Sequence, residues 1–335
     1  MDIKKIRVAV IGFGFMGKTH AGNILESDRM ELCAIVDSNI RSASQVGGNM
    51  DTGDIPREKL AGIPTYDSLE RCFEKESPDA VFVCVHTRLH YEMAMKSLKE
   101  GLHVFIEKPF VLNTVEGEAL IAEAKRQSLT LYVGHVVRFM PAYARLKEMY
   151  GSGVYGKLNF ISATRFSGVP NWGEWSRLRT DFGSSGGALF DLVIHDIDFL
   201  RYMLGMPDVV EAKTVPGILS RHDYVSARWH YRDRDVFVKV EGGLNFHSCF
   251  PFEASFKASF EKASVAWSSS AGLEMKIADN DSLQTVYLGD ASEGYAVEDE
   301  LFAIHIINRE ASVSMAESAL DTVRLCHRHA DMYHP

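Results

Sequence analysis

The sequence lacks long apolar runs and closely paired cysteines. Nowhere do about 18 uninterrupted apolar residues occur, the length that a membrane-spanning helix requires. The five cysteines are widely spaced and include no Cys-x-x-Cys, which argues against a disulfide framework or a zinc knuckle. The first residues also lack the apolar stretch of a secretion signal, so we expect a cytoplasmic protein.

Basic residues are outnumbered by acidic ones. The 36 Lys and Arg face 45 Asp and Glu, and the formal charge of -9 argues against nucleic acid or an anionic membrane as a partner. A local basic pocket for a dinucleotide remains compatible with this charge. The composition, 46% apolar and 24% charged, is typical of a globular protein, and 335 residues exceed one comfortable core. We therefore predict two domains.

Short apolar segments alternate with helical periodicity in the first third of the chain. The pattern predicts strands at 6–11, 32–36, 80–85, 103–106 and 129–133, and helices at 16–26, 89–100 and 114–127. Apolar segments of this kind are typical of parallel strands that are buried on both faces. Residues 1–134 are thus predicted to form an α/β domain with a parallel sheet.

The pattern changes after Gly134. Helices are predicted at 141–149 and 188–204, and strands at 157–166, 209–215, 225–231, 236–244, 254–260 and 264–268. Helical periodicity returns at 297–307 and 315–329. Successive strands separated by turns indicate an antiparallel sheet, so residues 135–335 are predicted to form an α+β domain.

A glycine-rich turn follows the first predicted strand. It reads Gly12-Phe13-Gly14-Phe15-Met16-Gly17 and satisfies G-x-G-x-x-G between a strand and a helix, the context of a Rossmann dinucleotide site. Asp37 ends the second strand, where a carboxylate accepts ribose hydroxyls and repels a 2′-phosphate. We therefore predict NAD, with NADP possible because Arg41 is close in sequence. The turn alone also suits flavins and methyl donors.

Polar residues follow two later strands of the predicted parallel sheet. His86 and His90 come after the strand at 80–85, and we assign both to the cofactor site, although His90 is also compatible with a helix cap. Glu107-Lys108-Pro109 ends the strand at 103–106. Lys108 is suited to polarise a carbonyl or stabilise an alkoxide during hydride transfer, and Glu107 and Lys108 are also predicted to contact the cofactor. The alternative is a surface lysine paired with Glu107.

Asp191 and His195 lie four residues apart in a predicted helix and therefore share one face. His195 is suited to move the hydroxyl proton, with Asp191 orienting the imidazole or the substrate. A histidine satisfied within the core is the alternative. No third His or Cys with ligand spacing is evident, so we predict no metal.

The motifs together resemble the glucose-fructose oxidoreductase/inositol dehydrogenase/rhizopine catabolism (Gfo/Idh/MocA) family. The resemblance covers essentially the whole chain and rests on 12–17, 94–109, 133–139 and 186–195. It implies a Rossmann domain joined to an open mixed sheet whose face forms homodimers, commonly paired into tetramers. It also implies that Lys108 and His195 are the catalytic pair, that Asp191 assists, and that Arg138 lies near the substrate.

The substrates of the resembling family are mostly sugars, cyclitols and their derivatives. The sequence departs from the family at Thr87-Arg88-Leu89-His90, where Pro-Asn usually precedes the histidine. Arg165 and Trp172 lie in the segment expected to touch substrate, and Trp172 is suited to stack on a sugar ring. We predict an NAD(P)-dependent dehydrogenase acting on CH-OH groups. The alternative is a nucleotide-binding regulatory protein without catalysis, and a methyltransferase explains Glu107-Lys108-Pro109 less well.

Overall fold

The computed structural model describes residues 4–38, 55–170, 182–183 and 185–331. The chain forms two compact units, one from residues 1–136 with 295–320 and the other from 137–294 with 321–335. The sequence predicted that all of 135–335 belongs to the second domain, but the segment 295–320 is part of the first unit. Phe302 and Ala303 in this segment are fully buried in the core of the first unit, which explains the departure.

The first unit contains a parallel sheet. Its strands are β1 (Ile6–Ile11), β2 (Met30–Val36), β3 (Thr65–Tyr66), β4 (Ala80–Val83), β5 (His103–Glu107) and β6 (Leu131–Gly134). They are ordered β3-β2-β1-β4-β5-β6, and each neighbouring pair is parallel. The predicted parallel α/β sheet is confirmed. The two-residue strand β3 was not predicted, since it is too short to show periodicity.

Helices connect these strands. They are α1 (Phe15–Glu26), α2 (Arg57–Leu60), α3 (Leu69–Glu76), α4 (Thr87–Lys99) and α5 (Thr114–Gln127). Side chains cap two of them: Ser68 accepts a hydrogen bond from the Arg71 N–H, and Asn113 accepts one from the Val115 N–H. The crossover connections place the carboxyl ends of all the strands at one edge of the sheet.

The second unit contains a mixed sheet. Its strands are β7 (Leu158–Gly168), β8 (Val209–Val215), β9 (Tyr224–His230), β10 (Phe237–Phe246), β11 (Glu253–Phe260), β12 (Ser264–Ser268), β13 (Glu274–Ala278) and β14 (Leu283–Tyr287). They are ordered β14-β13-β12-β11-β7-β10-β9-β8. The central pair of β10 and β7 is parallel, and the other pairs are antiparallel.

The sheet is mostly antiparallel, as the strand spacing indicated, and its one parallel central pair confirms the open mixed sheet that the family resemblance implied. Spacing along the chain does not show which strands become neighbours, and β10 reaches β7 across a long connection. The two outer strands β13 and β14 were not predicted. The residues of β14 are mostly exposed and carry no apolar alternation.

Helices of the second half complete the fold. They are α6 (Pro141–Ser152), α7 (Ile194–Leu204), α8 (Glu293–Ile307) and α9 (Ser314–Asp331). The predicted helix at 188–204 is α7 preceded by a π-helical segment, Leu189–Val193. Among the helices of the described residues, none combines the length and apolar character that crossing a membrane requires.

Candidate active site

The glycine turn joins β1 to α1 and is built on two tight contacts. Gly12 has a φ of 88°, and a Cβ there would lie 2.7 Å from the carbonyl oxygen of Cys84. A Cβ on Gly17 would lie 1.9 Å from the carbonyl oxygen of Gly12. Around Gly14, by contrast, no atom lies within 4 Å of such a Cβ. Gly12 and Gly17 therefore let the turn close on itself, while Gly14 faces open space where a ligand can approach.

The amino end of α1 fits an anion. Gly14 is the N-cap, no side chain caps this end, and the first turn contains no acidic residue. The first backbone N–H groups of a helix lack intrahelical partners and carry the positive end of the helix dipole. Phe15 and Met16 thus supply backbone donors suited to a pyrophosphate.

Asp37 is tied to the glycine turn. It follows β2 directly, and its Oδ2 accepts a hydrogen bond of 2.7 Å from the backbone N–H of Phe13. The side chain of Phe13 is buried in the core of the unit, so this residue serves the site through its backbone. Asp37 is half-buried beside the turn, and its contact with the ribose stays a prediction. Arg41 lies outside the described residues.

The two histidines after β4 differ. His86 is the exposed N-cap residue of α4, at the sheet edge that also carries the glycine turn. His90 is buried, with Nδ1 2.9 Å from the carbonyl oxygen of Pro109 and Nε2 3.0 Å from that of Val85. This burial departs from the predicted cofactor contact of His90. The ring instead links the segments that follow β4 and β5 through these two carbonyl groups. This role differs from both the predicted cofactor contact and the alternative of a helix cap.

Glu107 and Lys108 lie at the end of β5. Glu107 is buried, and its Oε2 accepts a hydrogen bond of 2.9 Å from the backbone N–H of Lys108. Its Oε1 lies 2.8 Å from Nε2 of His20. Burial alone would raise the pKa of Glu107, but His20 and Lys108 lower it below its ordinary value. The alternative of a lysine paired with Glu107 on the surface therefore does not hold for Glu107, which is buried. Lys108 itself is partly exposed.

His20 and Asp299 extend this arrangement and were not predicted as site residues. His20 is buried in α1, and its Nδ1 lies 2.8 Å from Oδ1 of Asp299 in α8. Burial alone would lower the pKa of His20, but Asp299 and Glu107 raise it well above its ordinary value. The two residues are 279 positions apart in sequence, so only the fold reveals the pair.

A third carboxylate lies beside this pair. Ligand atoms of His20, Glu298 and Asp299 all lie within 4.8 Å of one another, and all three residues are buried. The prediction of no metal rested on spacing along the sequence, and that spacing does not show that His20 lies beside Glu298 and Asp299 in the fold. The absence of a metal therefore stays a prediction.

Asp191 and His195 belong to the second unit. Asp191 lies in the π-helical segment Leu189–Val193, and His195 is in the first turn of α7. Both are half-buried. Successive helical turns place residues four apart on one face, and single π-helical turns are frequent at functional sites. The geometry of the segment is therefore compatible with the predicted pair.

The two arginines assigned to substrate binding are engaged in buried ion pairs. Arg138 Nε and Nη2 donate to the two carboxylate oxygens of Asp198, at 2.7 and 2.6 Å. Arg165 Nε donates to Asp196 Oδ2 at 2.8 Å, and its Nη2 donates to the hydroxyl of Tyr143 at 2.9 Å. Both arginines are only 4% exposed.

These contacts correct the substrate-binding interpretation of Arg138 and Arg165, because the same guanidinium groups stabilise the interior of the second unit. Their carboxylate partners, Asp198 and Asp196, lie at alternate positions of α7. Trp172, the remaining predicted substrate contact, lies outside the described residues.

Known proteins share both the sequence and the fold. The chain is 32% identical to myo-inositol 2-dehydrogenase of Thermotoga maritima over 200 residues, 60% of this chain and 55% of the relative. It is 30% identical to D-glucoside 3-dehydrogenase of Escherichia coli over 276 residues, 79% of this chain and 74% of the relative. The chain thus spans about half the length of the first relative and about three quarters of the second.

The fold matches solved structures over almost its full length. UDP-N-acetylglucosamine 3-dehydrogenase of Acidithiobacillus ferrooxidans superposes with a TM-score of 0.78 over 98% of each chain, at 21% sequence identity. Residues 6–135 match the model of an oxidoreductase family with an NAD-binding Rossmann fold, and residues 143–265 match a GFO/IDH/MocA C-terminal domain. The chain belongs to the Gfo/Idh/MocA family of oxidoreductases, as the resemblance of its motifs indicated.

Proposed function

We propose that the protein is an NAD(P)-dependent oxidoreductase that transfers hydride between nicotinamide and a secondary alcohol or carbonyl of a sugar, cyclitol or related polyol. One observation carries the proposal: the glycine turn and Lys108 follow two strands, β1 and β5, that flank β4 in a parallel sheet. The carboxyl ends of such strands share one edge, where Rossmann folds bind dinucleotides. The dehydrogenase activities named for the relatives support the substrate class.

The proposed chemistry assigns one task to each residue. Bound nicotinamide supplies the carbon that accepts or gives the hydride. The Lys108 ammonium stabilises negative charge on the substrate oxygen as the carbonyl forms or is reduced. His195 takes the hydroxyl proton in oxidation and returns it in reduction, and Asp191 orients the imidazole. These roles are carried over from the family motif, with partial exposure of all three residues as support.

Asp37 is the proposed determinant of cofactor choice. Its carboxylate stands beside the turn that binds the pyrophosphate, where it accepts ribose hydroxyls of NAD and repels the 2′-phosphate of NADP. NAD is thus the proposed cofactor, and NADP is the weaker alternative.

The proposed function is tested by a substrate panel. The full chain is mixed with NAD or NADP and with myo-inositol, D-glucose or methyl glucoside, and the absorbance of reduced nicotinamide is followed. Reduction of NAD by at least one panel member supports the proposal. Tight NAD binding without reduction by any of them would favour the regulatory alternative.

Assembly and location complete the proposal. Val209, Val215 and Phe237 on the strands of the second unit are 44%, 37% and 39% exposed, which supports a homodimer or homotetramer formed on this sheet. Light scattering that finds only a 37.4 kDa species would contradict this. We also propose a cytoplasmic protein that binds neither nucleic acid nor membranes. The net acidic charge argues against both of these partners.

A further inference from the structure

A cluster of buried ionisable residues lies behind Lys108. His20 contacts Asp299 and Glu107, each at 2.8 Å, and the Asn23 side chain donates a 2.8 Å hydrogen bond to the other oxygen of Asp299. Glu298 is also buried, next to Asp299. Phe82, Phe105 and Tyr295 surround the imidazole, with ring centroids 5.3, 5.0 and 6.2 Å away.

The cluster has an excess of acidic groups. Three carboxylates, from Glu107, Glu298 and Asp299, act on the half-buried Cys84: desolvation of its thiol raises the pKa, and each carboxylate raises it further. Burying a charge without a partner is costly, so a positive charge is expected among these groups. Lys108 supplies part of it at Glu107, and a bound cation or a protonated His20 would supply it beside Asp299.

The geometry favours the proton. Both ring nitrogens of His20 lie at hydrogen-bonding distance from carboxylate oxygens. A neutral imidazole has one N–H and satisfies one such acceptor, whereas an imidazolium donates to both. A metal ion would need a deprotonated ring nitrogen as its ligand and would displace one of these contacts. The two 2.8 Å distances suit an imidazolium that donates to both carboxyl groups. Burial raises the pKa of Asp299, and its contacts with His20 and Asn23 act against that shift, so the proton is shared between the ring and this carboxyl group unless the ring holds it.

The cluster reaches the proposed active site through one side chain. Glu107 contacts His20 with Oε1 and holds the backbone N–H of Lys108 with Oε2. Rotation of this carboxylate would therefore change both contacts together. When one oxygen of a carboxylate serves a functional residue, a hydrogen bond to the other oxygen commonly fixes the orientation of the carboxylate.

We propose that His20 is a positioning residue for Lys108: as an imidazolium between Asp299 and Glu107, it fixes the carboxylate that holds the Lys108 backbone. The consequence for catalysis rests on the proposed function of Lys108. No role in contacting substrate or cofactor is assigned to His20.

The charge of His20 is tested without turnover. In the full chain with isotopically labelled histidine, nuclear magnetic resonance distinguishes imidazolium from neutral tautomers. One signal should keep the imidazolium signature at about pH 8, above the ordinary histidine pKa of about 6.5, and should vanish in His20→Gln. A neutral signature for His20, or about one tightly bound divalent cation per chain that His20→Gln releases, would overturn the proposal.

The positioning role is tested by a double-mutant cycle. With NAD and the panel polyol that gives the highest rate, His20→Gln should lower kcat about 10- to 100-fold while the Kd for NAD changes by no more than about twofold. In a Lys108→Met background the same change should cost nothing further, since its effect passes through Lys108. Asp299→Asn, which keeps the side-chain shape, provides a second variant if His20→Gln folds poorly.

His329→Gln is the matched control. His329 is also fully buried, but it contacts Trp229 and the backbone of Leu325 in the second unit, and burial lowers its pKa to about 4. Losing this neutral imidazole should leave kcat and its pH profile unchanged. Full additivity of His20→Gln and Lys108→Met would overturn the positioning role while leaving the proposed function intact. Absence of turnover in the parent protein would overturn both, whatever the charge of His20.

Discussion

Removing the carboxylate of Asp198 should destabilise the second unit strongly. Asp198 is 1% exposed, accepts two hydrogen bonds from Arg138, and accepts a third of 2.7 Å from the hydroxyl of Thr322. Thr322 in turn accepts a 3.0 Å hydrogen bond from Arg201, whose guanidinium Asp198 also attracts. Asp198→Asn therefore leaves the buried guanidinium of Arg138 without its countercharge and removes the attraction that Asp198 exerts on Arg201.

The magnitude follows from burial. Breaking a buried ion pair by removing one partner costs about 3–5 kcal/mol, because the remaining charge stays desolvated. For a unit of this size that corresponds to a fall in Tm of about 6–20 °C. Replacing both partners, as in Arg138→Met with Asp198→Leu, should restore much of the loss, since the unpaired guanidinium of Arg138 is then removed together with its partner.

The assay is urea unfolding followed by circular dichroism, together with KM for the best panel substrate. Asp198→Asn should shift the unfolding midpoint and leave NAD affinity unchanged, because Arg138 and Asp198 lie in the second unit. Loss of less than about 1 kcal/mol together with a tenfold rise in KM would refute the reasoning and return Arg138 to the substrate site.

Three further predictions concern the first unit. Asp37→Asn keeps an acceptor for the Phe13 N–H but removes the charge, so the ratio of Kd values for NADP and NAD should fall about tenfold or more; an unchanged ratio in titration would exclude Asp37 as the determinant. Gly14→Ala should weaken NAD binding with little loss of stability, whereas Gly17→Ala should weaken NAD binding and also lower stability, since only the Cβ at position 17 would collide with backbone atoms. Equal unfolding midpoints for the two variants would contradict this. The fold raises the pKa of His20, so protonated His20 stabilises the folded state fully below about pH 6.5, and this stabilisation is lost as the pH rises through the folded pKa. Over that pH range the unfolding free energy of the parent should fall with pH more steeply than that of His20→Gln, by up to about 1.4 kcal/mol per pH unit. Denaturation at several pH values measures the difference.

Much of the fold was accessible from the sequence because its signals are local. The buried strands of the first unit appear as continuous apolar runs, and Gly12 and Gly17 mark a turn that permits no side chain. The mixed order of the second sheet was not accessible from spacing, since the parallel pairing of β10 with β7 is a long-range event. Only the family resemblance indicated it.

The candidate site was predictable where one motif carries it and not where distant segments meet. Asp37 and Lys108 are found from their place at strand ends, and the structure puts them there. The buried histidine of α1 and its partner in α8 are invisible to such reasoning, because their pairing depends on tertiary packing. Arg138 shows the opposite error: a motif residue suggested a substrate contact, and burial beside Asp198 shows an ion pair.

The most direct test of the proposed chemistry is a comparison of hydride transfer in the parent protein and in Lys108→Met. With NAD and the best panel polyol, single-turnover formation of reduced nicotinamide should fall about 10²- to 10⁴-fold in the variant, the usual scale for one charge-stabilising or acid-base group, while the Kd for NAD stays unchanged. An unchanged rate in Lys108→Met would contradict the account, because the substrate oxygen would then be stabilised by a group other than the lysine at the end of β5.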